Sequence, residues 1–233
     1  MRRGRTFSSY AHRFIDSNLG CTVHWEKFGV AVFPSFFTLD EEKALDSDAS
    51  HELRKQPWEA GHWDNVIKNY REIQRPLLSL SAASRCVVER AHAHFPSGNL
   101  PLPTYHALEL APGGEILPHV DSIKFSGSVV AGLCLRSTAV LELTPDVGAI
   151  EEGRAPTATE AGVKEPKVSI LLPQGTLYIL TGEARYGWGH AIPPGSPLFK
   201  GNIVTRKERL SIMLRDELLS HHTASTLSPM VQP

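Results

Sequence analysis

The chain has 233 residues, with 24 lysines and arginines against 25 acidic residues and a formal net charge of -1. That length suits one sizeable domain plus tails. The charge balance argues against a general nucleic-acid-binding surface, which carries a basic excess, and leaves room only for a small basic channel.

No window approaches the ~18 apolar residues of a membrane-spanning helix, so no membrane span is expected. The cysteines are Cys21, Cys86 and Cys134, with no Cys-x-x-Cys pair. Such a sparse, odd set provides neither a disulfide framework nor a zinc site of that type. The amino-terminal stretch carries Arg2, Arg3, Arg5, His12 and Arg13, several serines, and no acid before Asp16. That is the composition of a mitochondrial transit peptide, with a disordered basic tail as the plain alternative. On the first reading, residues 1–20 are removed, take no part in the fold, and direct the protein to the mitochondrial matrix.

His24 to Phe33 reads as a first strand, closed by Pro34. Thr38-Leu39-Asp40-Glu41 is a capping-box pattern, which predicts a helix from about Asp40 to Lys55, stopped by Pro57. Trp58 to Tyr70 is less regular. His62 there is either a substrate-side residue near a pocket mouth or a surface histidine on a packed aromatic loop. A second helix is predicted from Leu80 to Phe95, where His92 and His94, two apart, do not share a face.

Strands then dominate. Thr104 to Leu110 alternates, and Ala111-Pro112-Gly113-Gly114 reads as a turn. Gly127 to Leu135 and Val140 to Thr144 follow. Residues 145–166 are poor in apolar side chains and read as a mobile insertion. Val168 to Leu172, the turn Pro173-Gln174-Gly175, and Thr176 to Leu180 form a hairpin signal. Helices followed by many short strands predict an α+β, mainly β chain: a double-stranded β-helix (jelly roll) flanked by N-terminal helices over residues 24–219. Residues 220–233 read as a disordered tail.

Within this framework Pro118-His119-Val120-Asp121 stands out. In an extended segment His119 and Asp121 point to one face, and Gly187-Trp188-Gly189-His190 offers His190 as a third ligand. Two imidazoles and one carboxylate with positions left free form the facial triad of non-haem Fe(II) oxygenases. Downstream, Arg209 to Arg215 alternates. Arg209, Ser211, Met213 and Arg215 fall on one strand face and Leu210, Ile212 and Leu214 on the other. Arginines on an inner face are costly unless each meets an anion, and a dicarboxylate cosubstrate suits the guanidinium fork. Arg206, the rival, falls on the opposite face in what reads as an exposed turn. Tyr178 points inward with Thr176 and Leu180, either as a hydroxyl within reach of a carboxylate or as a packed core tyrosine.

The order His-x-Asp, distant His, Arg-x5-Arg, with His62-Trp63-Asp64, Leu177-Tyr178-Ile179-Leu180 and Ala184-Arg185-Tyr186, spreads over roughly residues 28–216. It resembles the AlkB branch of the Fe(II)/2-oxoglutarate dioxygenases, and the mitochondrial part of that branch most closely. The resemblance implies Fe(II) on His119, Asp121 and His190, with 2-oxoglutarate and O2 as cosubstrates. Arg209 then holds the far carboxylate of 2-oxoglutarate, Arg215 touches cosubstrate or substrate, and Tyr178 supplies a hydrogen bond to the cosubstrate. Base-repair members carry Asn and Tyr on the strand before His-x-Asp and Asn two after the first arginine; here Leu108, Leu110 and Ser211 stand there. No aromatic and basic lid precedes the barrel to stack a flipped base, so duplex DNA is not expected as a substrate. The resemblance points instead to a protein or other non-duplex substrate, or to methylated mitochondrial RNA, and to roles in programmed necrosis and fatty-acid metabolism. The competing expectations are a catalytically weak iron-binding scaffold acting through protein partners and a cupin-like isomerase, which usually adds a third histidine and has no need of Arg209.

Overall fold

The computed structural model describes residues 13–19, 24–124, 126–153 and 155–218. The amino-terminal segment up to residue 12 and the tail from residue 219 lie outside the described residues. In chain order the elements are β1 (Ile15–Ser17), α1 (Trp25–Phe28), β2 (Val30–Phe33), α2 (Leu39–Leu53), β3 (Glu59–Gly61), β4 (Ile67–Pro76), α3 (Ala82–His92), β5 (Thr104–His119), β6 (Val130–Leu135), β7 (Ala139–Pro145), α4 (Val147–Glu151), α5 (Ala158–Ala161), β8 (Val168–Leu172), β9 (Thr176–Leu180), α6 (Gly182–Tyr186), β10 (Trp188–Ile192), β11 (Leu198–Phe199), β12 (Asn202–Ile203) and β13 (Arg209–Arg215).

The strands pair in the order β1-β8-β7-β10-β5-β13-β6-β9-β2, with β4 alongside β5 and β3 outside it. One strand makes this path continuous. The first half of β5, up to Leu110, pairs with β13, and its last residues, Ile116 to His119, pair with β10. β5 therefore turns a corner from one sheet into the other. Ala111-Pro112-Gly113-Gly114, expected as a turn, is that corner: the register against β4 jumps there, from Glu115 opposite Lys68 to Leu110 opposite Tyr70. Strands that change sheets do so through such bulges. The result is the double-stranded β-helix expected from the strand pattern.

Two apolar layers hold it. The inner one, between the sheets, contains Leu108, Leu110, Leu141, Ile170, Tyr178 and Trp188. The outer one packs Leu45, Leu53, Val87 and Val88 of the helices onto Ala107, Leu133, Leu210, Ile212 and Leu214. The last three are the outward face expected for β13, and each stabilises the helix layer by about 1.5–3 kcal/mol of burial. Helix α2 starts on the expected capping box: the Thr38 hydroxyl accepts from Glu41 N–H and the Glu41 carboxylate accepts from Thr38 N–H.

Several expectations change. His24 to Phe33 is not one strand: Trp25–Phe28 is a helical turn closed by Gly29 at φ 94, a left-handed position open to glycine. Strand β3 and the start of β4 fall within Trp58 to Tyr70, a stretch that reads as irregular. The expected hairpin of β8 and β9 does not form, because β8 pairs with β7 and β1 while β9 pairs with β6 and β2. The Pro173-Gln174-Gly175 turn, with Gly175 at φ 81, instead carries the chain from one sheet to the other. Residues 145–166 hold the short helices α4 and α5. Ile15–Ser17, expected to leave with the amino-terminal segment, pairs with β8 and buries Ile15.

Candidate metal centre and cosubstrate pocket

His119 is the last residue of β5, and His190 is the middle of β10. Antiparallel pairing sets them directly opposite one another, with ring centroids 4.2 Å apart. Asp121 lies beyond the end of β5, so loop geometry rather than strand alternation aims it. Its Oδ1 sits 3.3 Å from His119 Nε2 and 3.5 Å from His190 Nε2. One ligand atom from each residue falls within 4.8 Å of the others, a spacing that a single ion bridges.

The protonation states differ between the two imidazoles, and an ion would have to displace the proton that His119 Nε2 shares with Asp121. His119 Nδ1–H donates to the Leu117 carbonyl at 2.9 Å, which turns Nε2 toward Asp121 and His190. Burial, reinforced by His119, pulls His190 down to about 3, so it stays neutral. Burial pushes the Asp121 carboxyl up, yet the hydrogen bond from His119 and the charge of Arg215 outweigh it and hold the group well below the usual carboxylate range. Burial likewise opposes charging of His119, but its bond to Asp121 prevails and raises it. Arg215 Nε donates to Asp121 Oδ2 at 2.6 Å. That bond occupies one carboxylate oxygen and leaves the other facing the histidines, so one oxygen of Asp121 is available to an ion.

Farther into the barrel, Arg209 is 1% exposed. Nη1 donates to Ser211 Oγ at 3.0 Å and Nη2 lies 4.0 Å from Cys134 Sγ, while Nε has no partner. No carboxylate among the described residues pairs with it. A buried guanidinium on neutral partners costs several kcal/mol unless an anion joins it. Thr176 stands opposite Cys134 in the β6–β9 ladder, and its buried hydroxyl also has no partner. Two orphaned polar groups thus flank one end of the inner face, as the residues of a carboxylate pocket would. Tyr178 lies between this end and the metal ligands. Its hydroxyl makes only a weak contact with Met213 Sδ at 3.5 Å, and its ring fills the space left by Gly132, where a Cβ would stand 2.4 Å from the ring. Burial pushes the Tyr178 phenol up, so it is a neutral donor.

Arg206 corrects its expected place. It is 4% exposed, not in an open turn, and its guanidinium donates to the Ala111 and Gly114 carbonyls, bracing the β5 corner. Leu108 and Leu110 oppose Ser211 and Arg209 across the β5–β13 pair, so these aliphatic side chains pack beside Arg209 on the inner face. His62 does not line the cavity in front of the metal ligands. Its Nδ1 is 2.7 Å from Asp64 and its Nε2 3.8 Å from Glu72, whose other oxygen meets His106 Nε2 at 2.7 Å. His106 forms the wall itself, with Gln74, Thr104, Ser122, Met213 and Arg215, around a cavity of about 300 Å³. Thr176 and His106 carry no sequence signal beyond their parity on strands.

No family model matches the chain. It is 38% identical over 186 residues to the mitochondrial alpha-ketoglutarate-dependent dioxygenase alkB homolog 7 of Bos taurus, covering 79% of this chain and 76% of that protein. The Mus musculus protein of the same name is 36% identical over 189 residues, with the same coverage. A prolyl-4-hydroxylase structure from Pseudomonas putida superposes with a TM-score of 0.54 at 12% identity, over 84% of this chain and 96% of that one, and shows the fold alone. Fold, triad and relatives together define an Fe(II)- and 2-oxoglutarate-dependent dioxygenase. Within that class the chain belongs to the AlkB family and is like alkB homolog 7.

Proposed function

We propose that the protein is a mitochondrial-matrix dioxygenase that hydroxylates a protein or other non-duplex substrate. The observation that carries this reading is the cavity beside Asp121. Among its described lining residues there is no Phe, Tyr or Trp on which a flipped base would stack. The polar groups there, Gln74, Thr104, His106 and Ser122, suit an amide or hydroxyl-bearing group instead. The mitochondrial setting, with removal of an amino-terminal transit peptide that ends before β1, rests on the arginine-rich start of the chain and on the names of the relatives. A part in programmed necrosis and fatty-acid metabolism rests on the resemblance to the mitochondrial branch.

The residues divide the work. His119, Asp121 and His190 would hold Fe(II). When bound, Fe(II) and 2-oxoglutarate supply the oxidising chemistry, with O2 as oxidant and succinate and carbon dioxide as coproducts. Arg209 takes the far carboxylate of 2-oxoglutarate, with Thr176 as a second donor and Tyr178 as a neutral hydroxyl beside it. Arg215 fixes Asp121 and leaves its Nη groups to the cavity. Leu108, Leu110 and Leu180 exclude water around the cosubstrate, which strengthens each of these contacts.

The test compares mitochondrial lysate incubated with wild-type protein and with His119→Ala, by mass spectrometry of peptides and nucleosides. The reading predicts peptides gaining one oxygen only with the wild type. Loss of methyl groups from RNA nucleosides, with peptides unchanged, would establish the RNA reading in its place.

A further inference from the structure

We propose that Arg185 is a positioning residue of the metal centre, fixing the loop that carries the carboxylate ligand. This rests on the assignment of His119, Asp121 and His190 as metal ligands. Both histidines are held by strands β5 and β10, but Asp121 is not: the described residues between β5 and β6 lie outside any strand or helix. Something else must set its direction.

Arg185, on the short helix α6, is placed for this. It is 2% exposed. Its Nη1 donates to the Asp121 backbone carbonyl at 3.0 Å and its Nη2 donates to Ser126 Oγ at 2.8 Å. Ser126 in turn closes the loop, because its N–H and its hydroxyl both donate to the Ser122 carbonyl at 3.2 Å. One rigid guanidinium fork therefore joins Asp121 to Ser126. Arg215 grips the Asp121 carboxylate from the cavity side, 2.6 Å away, so backbone and side chain of the same ligand are each held by an arginine.

The fold alone does not call for a cation here. Arg185 has no ion-paired carboxylate among the described residues, its buried Nε has no hydrogen-bond partner there, and its guanidinium carbon lies 5.0 Å from the centre of the Tyr186 ring. Neutral donors would satisfy a carbonyl and a hydroxyl at lower desolvation cost. A fork with two parallel donors does what they cannot: it fixes both the distance and the plane of two acceptors. Groups that orient metal ligands in this way typically change metal affinity about 10–100-fold when removed. The helix adds a link to the third ligand, since α6 runs directly into β10 and His190.

The test is titration of metal-free full-length protein with Co(II), read by its ligand-field absorption, which reports affinity and coordination number. Arg185→Gln is expected to bind about 10–100-fold more weakly and to show an altered spectrum, with Arg185→Lys recovering part of the loss. Arg185→Gln that binds within twofold of wild type with the same spectrum overturns the proposal, even if its melting temperature falls, because that pattern is a purely structural role. If Arg185→Gln does not fold, Ser126→Ala decides. It keeps the charge and removes one anchor, so a clear loss of affinity supports the proposal and unchanged affinity overturns it. Failure of the wild type itself to bind Co(II) would remove the metal assignment, and the proposal with it.

Discussion

Replacing Arg209 with methionine separates binding from folding. Among the described residues the buried guanidinium has only Ser211 and the Cys134 sulfur as side-chain hydrogen-bond partners, and Nε is unpaired. An apolar side chain of similar volume in place of an uncompensated buried ion is neutral or stabilising by about 1–4 kcal/mol. At roughly 2–4 °C per kcal/mol for a chain of this size, the metal-free melting temperature should stay level or rise by several degrees. Cosubstrate binding should move the other way. Nε and Nη2 are free to make two charge-assisted hydrogen bonds to a carboxylate, each worth about 1.5–3 kcal/mol. Losing both, at 1.4 kcal/mol per tenfold, weakens 2-oxoglutarate binding by roughly 10²–10⁴. Calorimetric titration of the Mn(II)-loaded protein without oxygen, beside thermal melting of the metal-free form, measures both. Arg209→Met that binds 2-oxoglutarate within tenfold of wild type refutes the pocket assignment.

Thr176→Val removes a buried hydroxyl that has no partner; it should leave stability unchanged and weaken 2-oxoglutarate about tenfold, the value of one hydrogen bond to a charged group, in the same titration. Gly132→Ala puts a carbon 2.4 Å from the Tyr178 ring. Such overpacking costs about 1–3 kcal/mol, visible as a lower urea midpoint, and an unchanged midpoint would mean the ring is free to move. The metal-free protein should lose stability as pH falls from 6.5 to 5. His190 stays neutral to about 3 in the fold while the unfolded chain takes up its proton near 6.5, so the loss over this range is about 1.7 kcal/mol, its slope approaching about 1.4 kcal/mol per pH unit toward pH 5. His119, which is raised, has its contribution fully present below 6.5 and does not offset this; urea midpoints at the two pH values that coincide would contradict the burial of His190.

Much of the site is legible in the chain because it depends on parity. The alternation of Arg209 to Arg215 places Arg209 and Ser211 inward and Leu210, Ile212 and Leu214 on the helices, as found. The local capping signal of Thr38 and Glu41 survives for the same reason, since it involves only neighbours. What needs a partner strand is not legible. An alternating run looks alike whichever sheet it joins, so β8 and β9 read as a hairpin although a turn carries them to different sheets. Pro112-Gly113-Gly114 reads as a turn because the pairing that makes it a corner comes from β4, β10 and β13. Arg206 reads as exposed from its charged neighbours Lys207 and Glu208, while the corner carbonyls that bury it lie far away in sequence. Arg215 was expected at cosubstrate or substrate, and its bond to Asp121 needed the fold to become visible.

The account stands on the convergence of three side chains on one ion with Arg209 behind it. A crystal structure of the protein with Mn(II) and 2-oxoglutarate, grown without oxygen, tests this most directly. The account predicts the ion bound by Nε2 of His119, Nε2 of His190 and one oxygen of Asp121, with the far carboxylate of 2-oxoglutarate on Arg209. An ion held by other residues, or a cosubstrate whose far carboxylate rests elsewhere, would contradict it.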